Sequence, residues 1–244
     1  MAVDRPAIVR SVMDTLGVAG AGPFPRGSPV ADTTAPIPRH DRARAVALLD
    51  SLGWKDSNGD GVRDRNGRQL SLVTLVPEAS ALRARSAVAL QQQLAEVGVK
   101  LDLRQLEFRA WGELTTSGTF DATMNSWVLT DWSPAGLSST WGTGGPQNYG
   151  RYGNPVFDAH VDSGNAAFDL PTRRAHFRQA FQAMAPDVPA LWIYEPHNTI
   201  AVHRRFRTPE MRATGWWLDL PQWWIPRAER IERDAAPASA VAQR

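Results

Sequence analysis

The residues best suited to chemistry lie in one short stretch, Trp127-Val128-Leu129-Thr130-Asp131-Trp132-Ser133-Pro134, which follows an apolar run with strand character. In an α/β sheet, ligands approach the carboxyl ends of the strands. Trp127, Thr130, Asp131 and Trp132 are therefore candidate ligand contacts, offering flat indoles, a hydroxyl and a carboxylate. Such a set holds an organic solute by stacking and hydrogen bonding. A second role fits Asp131 equally, as the cap of a short helix beginning near Pro134. Asn148, Tyr149 and Tyr152 occupy a glycine-flanked loop, where polar side chains commonly contact ligands. Asn148 and Tyr152 also suit a bracing role, through hydrogen bonds to the loop backbone.

Two patterns bear on metals. Asp56-Ser57-Asn58-Gly59-Asp60-Gly61-Val62-Arg63-Asp64 imitates a calcium loop, with oxygen ligands at alternate positions and glycine at the sixth. The twelfth position is Gly67, so the bidentate carboxylate that completes such a site is absent, and the Asn-Gly and Asp-Gly pairs favour a turn instead. Five histidines, His40, His160, His176, His197 and His203, are scattered, and none pairs with a glutamate at the spacing of a zinc helix. For catalysis the chain lacks a nucleophile elbow, a phosphate-cradling glycine loop and any cysteine. A binding protein is expected, and neither a cofactor nor a metal site is assigned.

The elements that must position the aromatic and acidic stretch are legible from periodicity. Gln69–Val76, Val99–Leu106 and Phe120–Trp127 read as strands, while Ala79–Val97 and Phe108–Leu114 read as helices. The order β-α-β-α-β predicts parallel strands joined by right-handed crossovers, an α/β core. Before it, Asp4 and Asp41 are expected to cap helices, and Gly17 to Pro38 is expected to be an irregular connection. After it come a glycine-rich turn at Thr143 to Pro146, helices from Val156 to Phe168 and from just beyond Pro171, and short strands at Leu191–Tyr194 and Thr199–Val202. The last ten residues read as a frayed tail.

Composition excludes several classes. With 43% hydrophobic and 21% charged residues among 244, the chain is that of an ordinary globular protein. The net charge of +2 gives no basic block for nucleic acid. No apolar run is long enough to cross a bilayer, and residues 1–25 lack the pattern of an export signal. Ten tryptophans are the compositional oddity; indoles serve as core filler and also as the lining of a cleft for peptides, sugars or other organic ligands.

Several stretches, in chain order, resemble one family. They are Ala2 to Val9, His40 to Trp54 with its Asp-x-x-x-Ala-x-x-Leu-Leu helix ending Leu-Gly-Trp, Asp56 to Gly67, and Phe120-Asp121 leading to Trp127. Asn148-Tyr149, Tyr152, Asn154-Pro155, Phe157-Asp158 and Pro189 to Tyr194 continue the series. The chain resembles extracellular solute-binding proteins of the peptide/nickel type, which deliver ligands to ABC importers. Each motif is short and weak, and their ordered occurrence over nearly the whole chain is what is specific. The resemblance implies a protein of about twice this length, folded as two lobes around a cleft. Residues 1–194 would form the periplasmic-binding-protein-like second lobe, and 195–234 a segment returning to a first lobe absent here, with 235–244 a disordered tail. Trp216, Trp217, Trp223 and Trp224 would then lack their native partner and leave an apolar patch.

The resemblance further implies reversible binding of a peptide or similar small solute, permease subunits as partners, and a periplasmic or extracellular, lipoprotein-type location peripheral to the membrane. Oligosaccharide, nickel and haem are alternative ligands within the family. From a different class, a carbohydrate-active hydrolase also suits the aromatic content. In peptide-binding relatives an aspartate near Asp131 pairs with the α-ammonium group of the ligand. The usual gap from Trp to Asp is three residues, whereas Asp131 stands four beyond Trp127 and Thr130 takes the third place. Either the loop is one residue longer or the amine anchor is lost.

Overall fold

Short oxygen-bearing side chains set most of the helix starts, because they accept hydrogen bonds from backbone N–H groups that have no partner within the helix. The structure, a computed structural model, describes residues 1–31, 39–127, 136–211 and 216–235. Helix α1 (Arg5–Met13) is capped by Asp4, whose carboxylate accepts from the Ala7 N–H, and ends where Asp14 turns to φ 53°. Strand β1 (Gly17–Ala19) follows, then α2 (Arg42–Ser51), capped by Asp41. A small antiparallel hairpin of β2 (Asp64–Arg65) and β3 (Arg68–Gln69) leads into β4 (Ser71–Pro77). Next come α3 (Ala81–Ala95), capped by Ser80, β5 (Lys100–Leu106), α4 (Phe108–Ser117), which Gly118 ends in the left-handed region, and β6 (Ala122–Thr123). Helices α5 (Gly136–Trp141), α6 (Pro155–Ala166) and α7 (Leu170–Met184) precede β7 (Tyr194–Pro196).

The core is the expected α/β layer. Strands β5, β4 and β6 form a parallel sheet in that order, in register from Ser71 opposite Lys100 to Pro77 opposite Leu106. Because the second crossover runs in the opposite direction to the first, right-handed connections put α3 and α4 on opposite faces. Thr74, Leu75, Val76 and Pro77 are consequently buried in succession, without the alternation of a half-exposed strand. On the α3 side, Val76 packs in a cluster with Ile8, Ala87, Leu90, Leu101, Met124 and Ile193. On the α4 side, Trp111 donates its indole N–H to Thr123 Oγ1 at 3.1 Å.

The third strand is shorter than the expected Phe120–Trp127, and the cause is local. Asp121 uses its side chain as well as its backbone on Val73, with Oδ2 accepting from the Val73 N–H at 2.8 Å. After Met124 donates to Leu75 O, the Ser126 N–H bonds to Asn125 Oδ1 at 2.8 Å, a side-chain turn that competes with a ladder. Other expectations change as well. The connection from Gly17 contains β1, which pairs antiparallel with β7, Gly17 opposite Pro196, so the late strand is Tyr194–Pro196 and not Leu191–Tyr194. Residues 199–202 form no strand. The later helix begins one residue before Pro171, capped by Asp169, because proline is tolerated in a first turn.

A second cluster joins α5, α6 and α7 to the loop before them: Phe24, Val30, Leu137, Phe157, Val161, Phe177, Ala180 and Met184. Phe24 meets Phe177 edge to face at 5.7 Å. A Cβ on Gly164 would stand 2.9 Å from the Phe177 ring, so only glycine permits this approach of the two helices.

The described residues divide into two units, one up to His197 and one from Asn198 onward. In the latter, Arg205 pairs with Asp234 and Arg207 with Glu229. Arg207 and Trp224 exchange backbone hydrogen bonds, and Trp216 lies 5.8 Å from Trp223 between ring centroids. Among the described residues no helix is long and apolar enough to cross a membrane.

The imitation of a calcium loop is a self-satisfied turn. Asp56 accepts from the backbone N–H groups of Gly59, Asp60 and Gly61. Asp60 accepts from Val62 N–H and from the amides of Asn58 and Gln69, bonds that hold its carboxyl below the usual range, led by the Val62 contact. Asp64 takes both donors of Ser57.

Two outcomes follow from this packing. Calorimetry with calcium chloride is expected to detect no micromolar binding, since the loop carboxylates already have donors; a micromolar Kd would contradict the turn. Asn154 accepts from the Val156 and Phe157 N–H groups at the head of α6. Asn154→Ala should therefore lower stability in urea unfolding by about 1 kcal/mol.

Candidate functional site

The rim of the parallel sheet is built where β6 leaves it. Trp127, three residues beyond Met124, is 37% exposed, and its indole stacks on the Tyr149 ring with centroids 5.7 Å apart and planes at 24°. Two aromatic rings from distant parts of the sequence thus form one flat surface. Thr130, Asp131 and Trp132 lie outside the described residues.

Tyr149 is held by the loop between α5 and α6, and Asn148 holds the loop. The Asn148 side chain is buried; its Nδ2 donates to Gly142 O at 2.9 Å and to Tyr152 O at 2.7 Å, and its Oδ1 accepts from Tyr152 N–H at 3.0 Å. Both amide hydrogens are engaged, so this geometry gives Asn148 the bracing role. A Cβ at Gly145 would lie 2.4 Å from the carbonyl oxygens of Ser138 and Ser139, which leaves no space for a side chain. Thr143 anchors the other end, its hydroxyl donating to Asp158 at 2.6 Å.

Tyr152 is also tied down. Its hydroxyl donates to Asp187 Oδ2 at 2.9 Å, and its ring meets Phe157 edge to face. Desolvation first, and then the hydrogen bond to Asp187, push this phenol up to about 12. Arg151 reaches across to Ser117 O at 2.7 Å, joining the loop to the end of α4. Thr116, Tyr149, Arg151 and Tyr152, with Gly144 and Pro146, line an open concavity of about 320 Å³. Of the loop residues singled out by sequence, Tyr149 presents a ring to the rim while Asn148 and Tyr152 fix the backbone beneath it.

Arg83 belongs to this edge and was missed by sequence reasoning. It stands in the first turn of α3, where the helix dipole disfavours a cation, and that mismatch was the available signal. Its Nη2 donates to Ser126 Oγ at 2.8 Å, and its guanidinium lies 5.6 Å from the centre of the Trp111 ring. It thereby fixes the residue immediately before Trp127. What the rim offers is flat aromatic area beside hydroxyl and guanidinium groups, a surface for reversible contact with an organic solute.

Comparison with known proteins identifies the family. The family model of bacterial extracellular solute-binding proteins, family 5 (middle), matches residues 1–149. The oligopeptide-binding protein AppA of Bacillus subtilis (strain 168) is 26% identical over 236 residues, 93% of this chain and 42% of that protein. Protein XP55 of Streptomyces lividans is 30% identical over 195 residues, 76% of this chain and 34% of that one. Among solved structures, AppA from Bacillus subtilis in complex with a nonapeptide matches with a TM-score of 0.79 at 24% identity, over 93% of this chain and 46% of that chain. NikZ from Campylobacter jejuni in complex with Ni(L-His) matches with a TM-score of 0.72 at 18% identity, over 91% and 46%. The chain spans less than half the length of these relatives. Its order of parallel strands and its matched residues agree on one assignment: the chain belongs to the bacterial extracellular solute-binding proteins of family 5.

Proposed function

We propose that this chain forms one wall of the ligand cleft of an ABC-importer solute-binding protein and holds a peptide reversibly, without covalent change. The observation that carries the reading is the stacked Trp127–Tyr149 pair at the carboxyl edge of the parallel sheet. It is supported by likeness to AppA, whose solved structure contains a nonapeptide. Trp127 and Tyr149 are the contacts assigned to ligand, with Thr130, Asp131 and Trp132 close to Trp127 in sequence. Asp131 is assigned the ligand's α-ammonium group, a charge-assisted contact strengthened when the cleft excludes water. AppA is an oligopeptide-binding protein, which supports binding over turnover.

Residues 1–194 act in this reading as the ligand-binding lobe, and 195–234 as a segment that packs on a first lobe. Closure of two lobes desolvates the ligand and presents a surface to the permease, outside the cytoplasm. Support for the second assignment comes from apolar exposure after Asn198: Trp217 is 49%, Leu218 63% and Trp224 57% exposed. Among the described residues the buried indole N–H of Trp223 has no hydrogen-bond partner.

Peptide binding is tested by calorimetry with unmodified and N-acetylated peptides of up to nine residues. The 244-residue chain alone should bind weakly, with a Kd above the micromolar range, since half of a two-lobed cleft gives half of the contacts. In a full-length relative carrying this lobe, Trp127→Ala and Asp131→Ala should each weaken binding tenfold or more. Submicromolar binding by the chain alone, indifference to both substitutions, or turnover of chromogenic glycosides would count against the reading. Sedimentation tests the apolar segment: self-association is expected, relieved by Trp217→Ser with Trp224→Ser, and a monodisperse monomer before substitution would overturn it.

A further inference from the structure

Away from the rim, α6 and α7 bring two histidines together. His160 and His176 are half-buried, with their Nδ1 atoms 3.4 Å apart, ring centroids 5.6 Å apart and ring planes at 39°. The centroids are farther apart than the nitrogens by nearly two ring radii, so the Nδ1 atoms point at each other. The helices under them are closely packed. Phe157, one turn before His160, and Phe177, next to His176, are both fully buried in the same cluster, and Gly164 lets the helices close.

Two neutral imidazoles in this arrangement satisfy both nitrogens with one shared proton, one donating and the other accepting. The alternative occupant is a metal cation that takes both lone pairs, with the ring protons on Nε2. Zinc–nitrogen bonds of about 2.0–2.1 Å at a tetrahedral angle set two ligand nitrogens about 3.4 Å apart. The pair already has that separation, and binding requires the rings to turn so that both lone pairs meet at one point. Imidazole nitrogen selects borderline transition cations over calcium and magnesium.

We propose that His160 and His176 form a binding site for a divalent transition cation of the zinc class on the α6–α7 pair. Among the described residues no group of three or more His, Cys, Asp or Glu is placed to hold a metal, so water completes the coordination. The site is built from helix side chains and not from the residues assigned to solute, and it is independent of the identity of that solute.

The test is calorimetric titration of the full chain with zinc chloride at neutral pH, with calcium and magnesium chloride as controls. One site is expected that responds to zinc alone, weakened at least tenfold in His160→Gln and in His176→Gln and unchanged in His40→Ala, His197→Ala and His203→Ala. Circular dichroism establishes that the glutamine variants are folded. Independently, zinc should raise the Tm of the wild-type chain and not that of the double glutamine variant. Wild-type protein that binds no zinc at millimolar concentration, or glutamine variants that bind as tightly as wild type, would overturn the proposal.

Discussion

Burial of β4 on both faces is the constraint from which the rest of the first unit follows. Thr74 to Pro77 sit in the middle strand with α3 against one side and α4 against the other. A strand so enclosed needs all its backbone groups paired, because unpaired N–H and C=O groups away from water are costly. Lys100–Leu106 satisfies one edge along its whole length, and β6 with the Asp121 side chain satisfies part of the other. The chain leaves the sheet only after Met124 has bonded to Leu75. That exit point fixes Trp127 at the carboxyl edge, so the position of the rim is a consequence of how the core strand is hydrogen-bonded.

The aromatic surface depends on a second and more local arrangement. Tyr149 comes from a loop with no regular structure of its own, and an unrestrained loop would present its ring in many orientations at an entropic cost on binding. Asn148, Thr143, Arg151 and Tyr152 remove that freedom by tying the loop to Gly142, α6, α4 and Asp187. Arg83 does the same from the sheet side by holding Ser126. The rim is therefore held in place from both directions.

Much of this fold was legible in residue patterns. Alternating apolar runs marked β4 and β5, and Asp4 and Asp41 marked the caps of α1 and α2. What escaped was set by tertiary contacts. Gly17–Ala19 has one strand-favouring residue, Val18, between two depleted ones, and becomes β1 because Tyr194–Pro196, far away in sequence, lies beside it. The early end of β6 depended on Asn125 and Asp121 side chains acting on backbone, which periodicity does not register. The same holds for the site. Trp127 and Tyr149 were singled out separately, while nothing in their spacing foretold that they stack, and the division of labour between Tyr149 and Asn148 emerges only from the latter's engaged amide.

The tightness around Gly145 has a consequence for how such proteins diverge. Since the loop's path is dictated by Asn148 and by carbonyl groups that leave no space for a Cβ, its shape does not rely on what Tyr149 carries beyond its backbone. The stacked ring and the architecture beneath it thereby fall to different neighbours in one short segment. The ring at Tyr149 can be exchanged while the frame beneath it stays the same, whereas a change at the glycine or the asparagine would forfeit both at once.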